Sequence, residues 1–242
     1  MLELYHAPIS TCSQKVRLVL AEKRLEWESR LIKFNAGDHL SPEYLKINPN
    51  GVVPTLVDDG DVVTDSSVIN EYLDDVYPAI AVRPVNPKTL ARMRAWRQYI
   101  DEVPTPAIRV PSFNAYFVPL WANMTDAEFF DFTERLPLRK YFYRKMGQTG
   151  FSQADIAEAF DKLGQTLRRM DQALASGPWL VDGHYSLADV SITPTMVRME
   201  DLGLSYMWTD LPRVKEWYER IQARPNFGVA YMPGSRSLGP SC

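Results

Sequence analysis

The chain has 242 residues, 45% hydrophobic and 24% charged, which is room for one large domain or two small ones around a real core. A formal net charge of −3 argues against nucleic acid as the main partner, because phosphate binding needs a basic surface, yet it leaves room for a local basic pocket. No apolar run approaches the roughly 20 residues of a membrane span, no signal-peptide series opens the chain, and two cysteines, Cys12 and Cys242, make a disulfide framework unexpected, so a cytoplasmic protein without a membrane partner is the expectation.

Residues 1–77 alternate between strands and helices. Leu2–Tyr5 reads as a strand, and Val16–Lys23 as a helix striped by Val16, Val19 and Leu20. The turn between them, Ser10-Thr11-Cys12-Ser13, holds small polar and sulfur-bearing side chains at the positive end of a helix dipole. Such a turn suits a hydroxyl or thiol held against an anion. Trp27–Phe34 alternates as a second strand. Ser41-Pro42 opens a short helix, with Ser as cap and Pro in the first helical position. Val53–Asp58 and Asp61–Thr64 form a hairpin across Asp59-Gly60, and Ser66 or Ser67 caps the helix that follows. Pro54 must sit at an edge, at a strand start or after a cis bond. A cis bond would leave the Val53 N–H and C=O free for a ligand.

Residues 78–88, with Pro78, Pro84 and Pro87, read as a linker, and 89–242 as an all-helical domain. Helices are expected over Leu90–Ile100, Asp126–Lys145 with a break near Pro137, Gln153–Leu174, Ser186–Leu202 and Leu211–Ala223. Pro104, Pro106, Pro111 and Pro119 suggest a long irregular segment bordering a pocket. Arg92, Arg94 and Arg97 read as a solvated or interface face.

Four pieces in order carry a resemblance that covers nearly the whole chain. They are Ser10-x-x-Ser13-x-Lys15-Val16-Arg17, Val53-Pro54, Asp65-Ser66, and Tyr185-Ser186-Leu187-Ala188-Asp189. Together they resemble the cytosolic glutathione transferases. That implies an α/β thioredoxin-like domain followed by an all-α domain, glutathione as co-substrate, no metal, and a homodimer. The excursion from Met124 to Gln153 is similar to bacterial β-etherases. Ser10-Thr11-Cys12-Ser13 is similar to the active-site turn of zeta-class isomerases and reductive dehalogenases.

The resemblance assigns roles residue by residue. Ser10 would stabilise the glutathione thiolate, with Thr11 as a weaker substitute. Cys12 would act as a thiolate itself or rest as a small side chain under the turn. The Val53 backbone beside Pro54 would hold the cysteinyl unit, Asp65 and Ser66 the γ-glutamyl end, and His39 the glycyl carboxylate. Val52 stands where such relatives often carry a lysine. Ser186 and Asp189 form a capping box that serves folding.

On magnitude, lowering a thiol pKa by about two units needs roughly 2.7 kcal/mol, and one charge-assisted hydrogen bond of about 1.5–3 kcal/mol backed by a helix N-terminus supplies it. A hydrophobic, aromatic electrophile would lie against Pro8, Ile9, Tyr99, Phe113, Tyr116, Phe117 and Trp121. The expected function is a glutathione transferase performing conjugation or β-aryl ether cleavage. The competing readings are a glutathione-dependent isomerase, dehalogenase or thiol transferase using Cys12, and a non-enzymatic binding module.

Overall fold

A computed structural model describes residues 1–236; Cys242 lies outside the described residues. The first part is a four-stranded sheet, β1 (Leu2–His6), β2 (Glu28–Leu31), β3 (Thr55–Asp58) and β4 (Asp61–Thr64), in the order β2-β1-β3-β4. β1 and β2 are parallel, and the other two pairings are antiparallel. The parallel pair needs a crossover, and helix α1 (Thr11–Glu22) supplies it. Leu4 and Leu56 pair across the sheet, and both are fully buried against Val16 and Leu20 of α1 and Ile69 and Leu73 of α3 (Ser66–Val76). The short helix α2 (Pro42–Ile47) starts as its sequence demands, with Ser41 Oγ accepting from Tyr44 N and Pro42 in its first turn.

Two local expectations are corrected in this part. α1 begins at Thr11, five residues earlier than its apolar stripe suggests, because Ser10 caps it and the turn residues form its first helical turn. Helix α3 is capped by Asp65, whose carboxylate accepts from Ser67 N at 2.8 Å and Val68 N at 3.1 Å; neither Ser66 nor Ser67 is the cap. Asp65 holds a φ of 71°, a left-handed conformation its own side-chain bonds help to sustain.

The helical part comprises α4 (Pro87–Glu102), α5 (Pro104–Tyr116), α6 (Asp126–Glu134), α7 (Lys140–Met146), α8 (Gln153–Ala173), α9 (Leu187–Asp201), α10 (Pro212–Gln222) and α11 (Pro225–Ala230). The expected irregular segment after residue 104 is in fact helix α5. Pro104 and Pro106 fall in its first turn, where N–H groups have no helical acceptor, so only Pro111 removes an internal bond. The helix expected over 126–145 is two, since Pro137 and the residues around it separate α6 from α7. Helix α11 carries too few residues for a period to show.

α9 is the central column. It is buried on every side from Leu187 to Met199, which a one-sided stripe would not reveal. It starts at a capping box in which Ser186 and Asp189 exchange bonds, and Asp189 also accepts from Trp217 Nε1 at 2.8 Å and Leu180 N at 3.1 Å. The two parts are tied by buried side chains. Arg17 of α1 donates to Ala230 O at 2.8 Å and Ser235 Oγ at 3.0 Å, and Arg198 of α9 donates to Ile9 O at 2.6 Å. A separate aromatic cluster, including Tyr116, Phe117, Trp121, Phe129 and Tyr143, joins α5, α6 and α7 to Ile9 just after β1. The site lies at that junction.

Candidate active site

One cavity, with about 830 Å³ of empty space including solvent at its mouth, opens between the sheet part and the helices. Its first wall is the Ile9–Cys12 turn, Phe34, His39 and the Asn50–Val53 segment. The second is built from α5, the Leu136–Arg139 connection, Tyr143 of α7 and Arg198 of α9. The structure therefore brings together Ser10, Thr11, Cys12, His39 and Val53. Pro54, Asp65 and Ser66 do not line this cavity. Pro54 follows a cis peptide bond and leads into β3, and Asp65 and Ser66 sit at the head of α3.

Ser10 is half-buried, and its Oγ accepts from Ser13 N at 3.3 Å. That bond uses a lone pair and leaves the hydroxyl proton free to donate. Ser13 itself is buried, with its Oγ accepting from Ala7 N at 3.4 Å, so it braces the turn.

Cys12 occupies the second position of α1 and faces the cavity. Burial raises its pKa, but Arg109, Lys15 and Arg139 outweigh that and hold the thiol below its ordinary value. Lys15 is buried and donates at 2.8 Å to both Ser67 Oγ and Asp101, which locks α1 against the head of α3 and against α4.

His39 is buried, meets Phe34 edge-on with ring centroids 5.2 Å apart, and has an Nδ1 without a hydrogen-bond partner among the described residues. Burial pushes its pKa down to about 4, so it is neutral near pH 7 and offers a neutral donor or acceptor. Gly51 is required where it stands. Its φ is 61°, and a Cβ there would lie 3.1 Å from Pro137 Cδ and 3.2 Å from Leu40 Cδ2.

The cavity lining corrects the expected electrophile pocket. Ile9, Phe113, Tyr116 and Phe117 line the cavity, but Pro8, Tyr99 and Trp121 do not. Tyr99 points to Thr166, with 2.9 Å between hydroxyls, and Trp121 is held inside the aromatic cluster behind Phe117. Arg109, Arg139, Arg198 and Tyr143 line the cavity and were not anticipated. The legible signal was Arg109, the one charge in the otherwise uncharged stretch Pro104–Tyr116. A buried charge costs several kcal/mol and is kept for a reason.

Of the α4 arginines expected on a solvated or interface face, Arg92 and Arg94 are exposed and Arg97 is not. Arg97 is buried and bonds Glu71 and the Ser67 carbonyl, Arg94 pairs with Glu71 at 3.1 Å, and Arg92 pairs with Asp182 at 2.6 Å.

A thioredoxin-like sheet part with a cis-proline loop, a capped serine turn and an aromatic-rich helical wall defines a glutathione-dependent transferase. Comparison with known proteins agrees. A family model for the glutathione S-transferase N-terminal domain matches residues 9–76, and one for the C-terminal domain matches residues 153–220. The chain belongs to the glutathione S-transferase family.

It is 33% identical over 233 residues to Protein LigF of Sphingobium sp. strain NBRC 103272 / SYK-6, covering 93% of this chain and 90% of that one. It is 27% identical over 240 residues to the tetrachloro-p-hydroquinone reductive dehalogenase of Sphingobium chlorophenolicum, covering 94% of each. Among solved structures, the β-etherase LigF from Sphingobium sp. strain SYK-6 superposes with a TM-score of 0.86 at 31% identity, covering 95% of this chain and 98% of that one.

Proposed function

We propose that this transferase attacks an aromatic electrophile with the glutathione thiolate, cleaving a β-aryl ether or displacing another leaving group, and that Ser10 stabilises the thiolate. The observation that carries the proposal is the Ser10 hydroxyl. It caps α1 at the cavity wall with its proton free, and an aromatic wall stands opposite. Attack forms a C–S bond, breaks the bond from the same carbon to oxygen or halogen, and sends the electron pair out with the aryl oxide or halide. A thiolate-directed hydrogen bond of about 1.5–3 kcal/mol accounts for a thiol ionised near neutral pH.

The remaining roles rest on the family resemblance. The Val53 backbone beside the cis peptide bond offers its N–H and C=O to the cysteinyl unit. Asp65 and Ser66 take the γ-glutamyl end, supported by the left-handed backbone at Asp65, a conformation kept where a site benefits. His39 and Thr11 complete the grip from the cavity wall. Similarity to LigF and to the dehalogenase supports the aromatic substrate class. The family resemblance also supports a cytoplasmic homodimer, which sedimentation would check.

A second reading has one observation in its favour, the lowered thiol of Cys12 in the same cavity. In it, Cys12 exchanges with glutathione and the protein is an isomerase, dehalogenase or thiol transferase.

The first test is a thermal shift. Glutathione at 100 times its dissociation constant stabilises the fold by about 2.7 kcal/mol, and no shift at millimolar glutathione would remove both readings. The second compares variants. Ser10→Ala is expected to lower kcat/KM by about tenfold to a hundredfold and to raise the pKa of the bound thiol, while Cys12→Ala keeps most activity. Loss of activity in Cys12→Ala alone would transfer the chemistry to the cysteine.

A further inference from the structure

Arg109, Arg139 and Arg198 all open onto the cavity, and among the described residues no aspartate or glutamate lines it. In a chain of net charge −3 this is a concentrated positive site. No acidic side chain among the described residues forms an ion pair within 4 Å with any of the three, and Asp201 of α9 acts on Arg198 only from farther away. Arg109 and Arg139 flank Cys12, and Arg139 is pushed down to about 10 by burial and by the neighbouring Arg109 charge. Arg198 is 5% exposed; one nitrogen is spent on Ile9 O, and its Nε has no partner among the described residues. Guanidinium groups brought together out of water repel one another, and an arrangement of this kind is stable with an anion between them.

We propose that these arginines recognise a carboxylate carried on the aromatic electrophile, so that the preferred substrates are aryl carboxylates. The inference rests on the glutathione-dependent reading above. The arginines stand on the helical wall, opposite the wall assigned to glutathione, and they converge beside the Ser10–Cys12 turn. An anionic substituent gripped there holds the ring over the reacting sulfur. A carboxylate fits best, because its two oxygens match the forked donors of a guanidinium.

Binding tests this without turnover. S-(4-carboxybenzyl)glutathione and S-benzylglutathione differ only in the carboxylate, and calorimetry measures both against the full chain. The carboxylated compound is expected to bind at least tenfold tighter. In Arg109→Gln and Arg139→Gln that ratio falls toward one, and Arg139→Lys restores part of it. Far-UV circular dichroism confirms that each variant is folded. Equal binding of the two compounds to the unaltered protein overturns the proposal, as does an equal loss for both in the variants, which would assign the arginines to glutathione itself. If glutathione alone binds normally, such a result removes only the carboxylate site. If glutathione does not bind, the transferase reading fails with it.

Discussion

Ser10 divides its hydroxyl between two tasks. The oxygen accepts from Ser13 N and caps α1, and the proton remains for the substrate sulfur. Its removal therefore has two separable costs, about 1 kcal/mol of fold stability from the lost cap and a larger loss in turnover. His39 gives the residue scale a pH signature. Its folded pKa of about 4 lies below the unfolded value near 6.5, so the unfolded chain binds the proton first as pH falls. Stability is complete above about pH 6.5 and is lost between there and pH 4. At pH 5 the loss is about 2 kcal/mol. Denaturant midpoints at pH 7 and pH 5 are expected to differ by that much more in the unaltered protein than in His39→Gln. An identical difference in both would show that His39 does not titrate on unfolding.

Among the elements, α9 depends most on a single side chain. Asp189 serves Ser186 N, Leu180 N and Trp217 Nε1, all buried, and burial raises its own pKa to about 6 against those three donors. Asp189→Ala orphans all three, and the expected cost is about 4 kcal/mol in chemical denaturation. Asp189→Asn keeps an acceptor oxygen and should lose less; equal losses would point to charge alone. The Ser186-Asp189 spacing was readable in the sequence because a capping box is local. The trajectory of 104–121 was not. Proline marks an interruption only where its N–H would have had a helical acceptor, and in α5 only Pro111 meets that condition. The turn at 10–13 was legible as small polar residues leading into a helix but misplaced as non-helical, since capping moved the start of the helix ahead of its apolar stripe.

At the scale of the whole molecule, buried polar ties join the two parts. Arg17 is 2% exposed and reaches Pro8 O, Ala230 O and Ser235 Oγ, so it fixes the turn after β1 and docks the segment following α11. Arg17→Met is expected to cost about 3 kcal/mol and to speed hydrogen exchange in residues 225–235 first. A loss below about 0.5 kcal/mol, with unchanged exchange there, would mean the docking rests on apolar contacts. Because Arg198 makes the matching tie to Ile9 from α9, the same junction that unites the parts also shapes the cavity.

What the amino-acid sequence determined by itself was whatever depends on short spacing. The alternating strands, the caps at Ser41 and Ser186, the hairpin at Asp59-Gly60, the serine turn and the Val53-Pro54 pair are all of that kind, and so is the α/β-then-helical order. Backbone hydrogen bonds and side-chain periods act over a few residues and leave a local trace. Only the tertiary structure decided which side chains share the cavity. Arg109 stands on α5, Arg139 just before α7 and Arg198 on α9, up to 89 positions apart, and nothing local distinguishes an arginine that opens onto a shared cavity from one that meets a carboxylate. Their shared opening is a product of how distant segments pack, which adds positive charge to an aromatic wall.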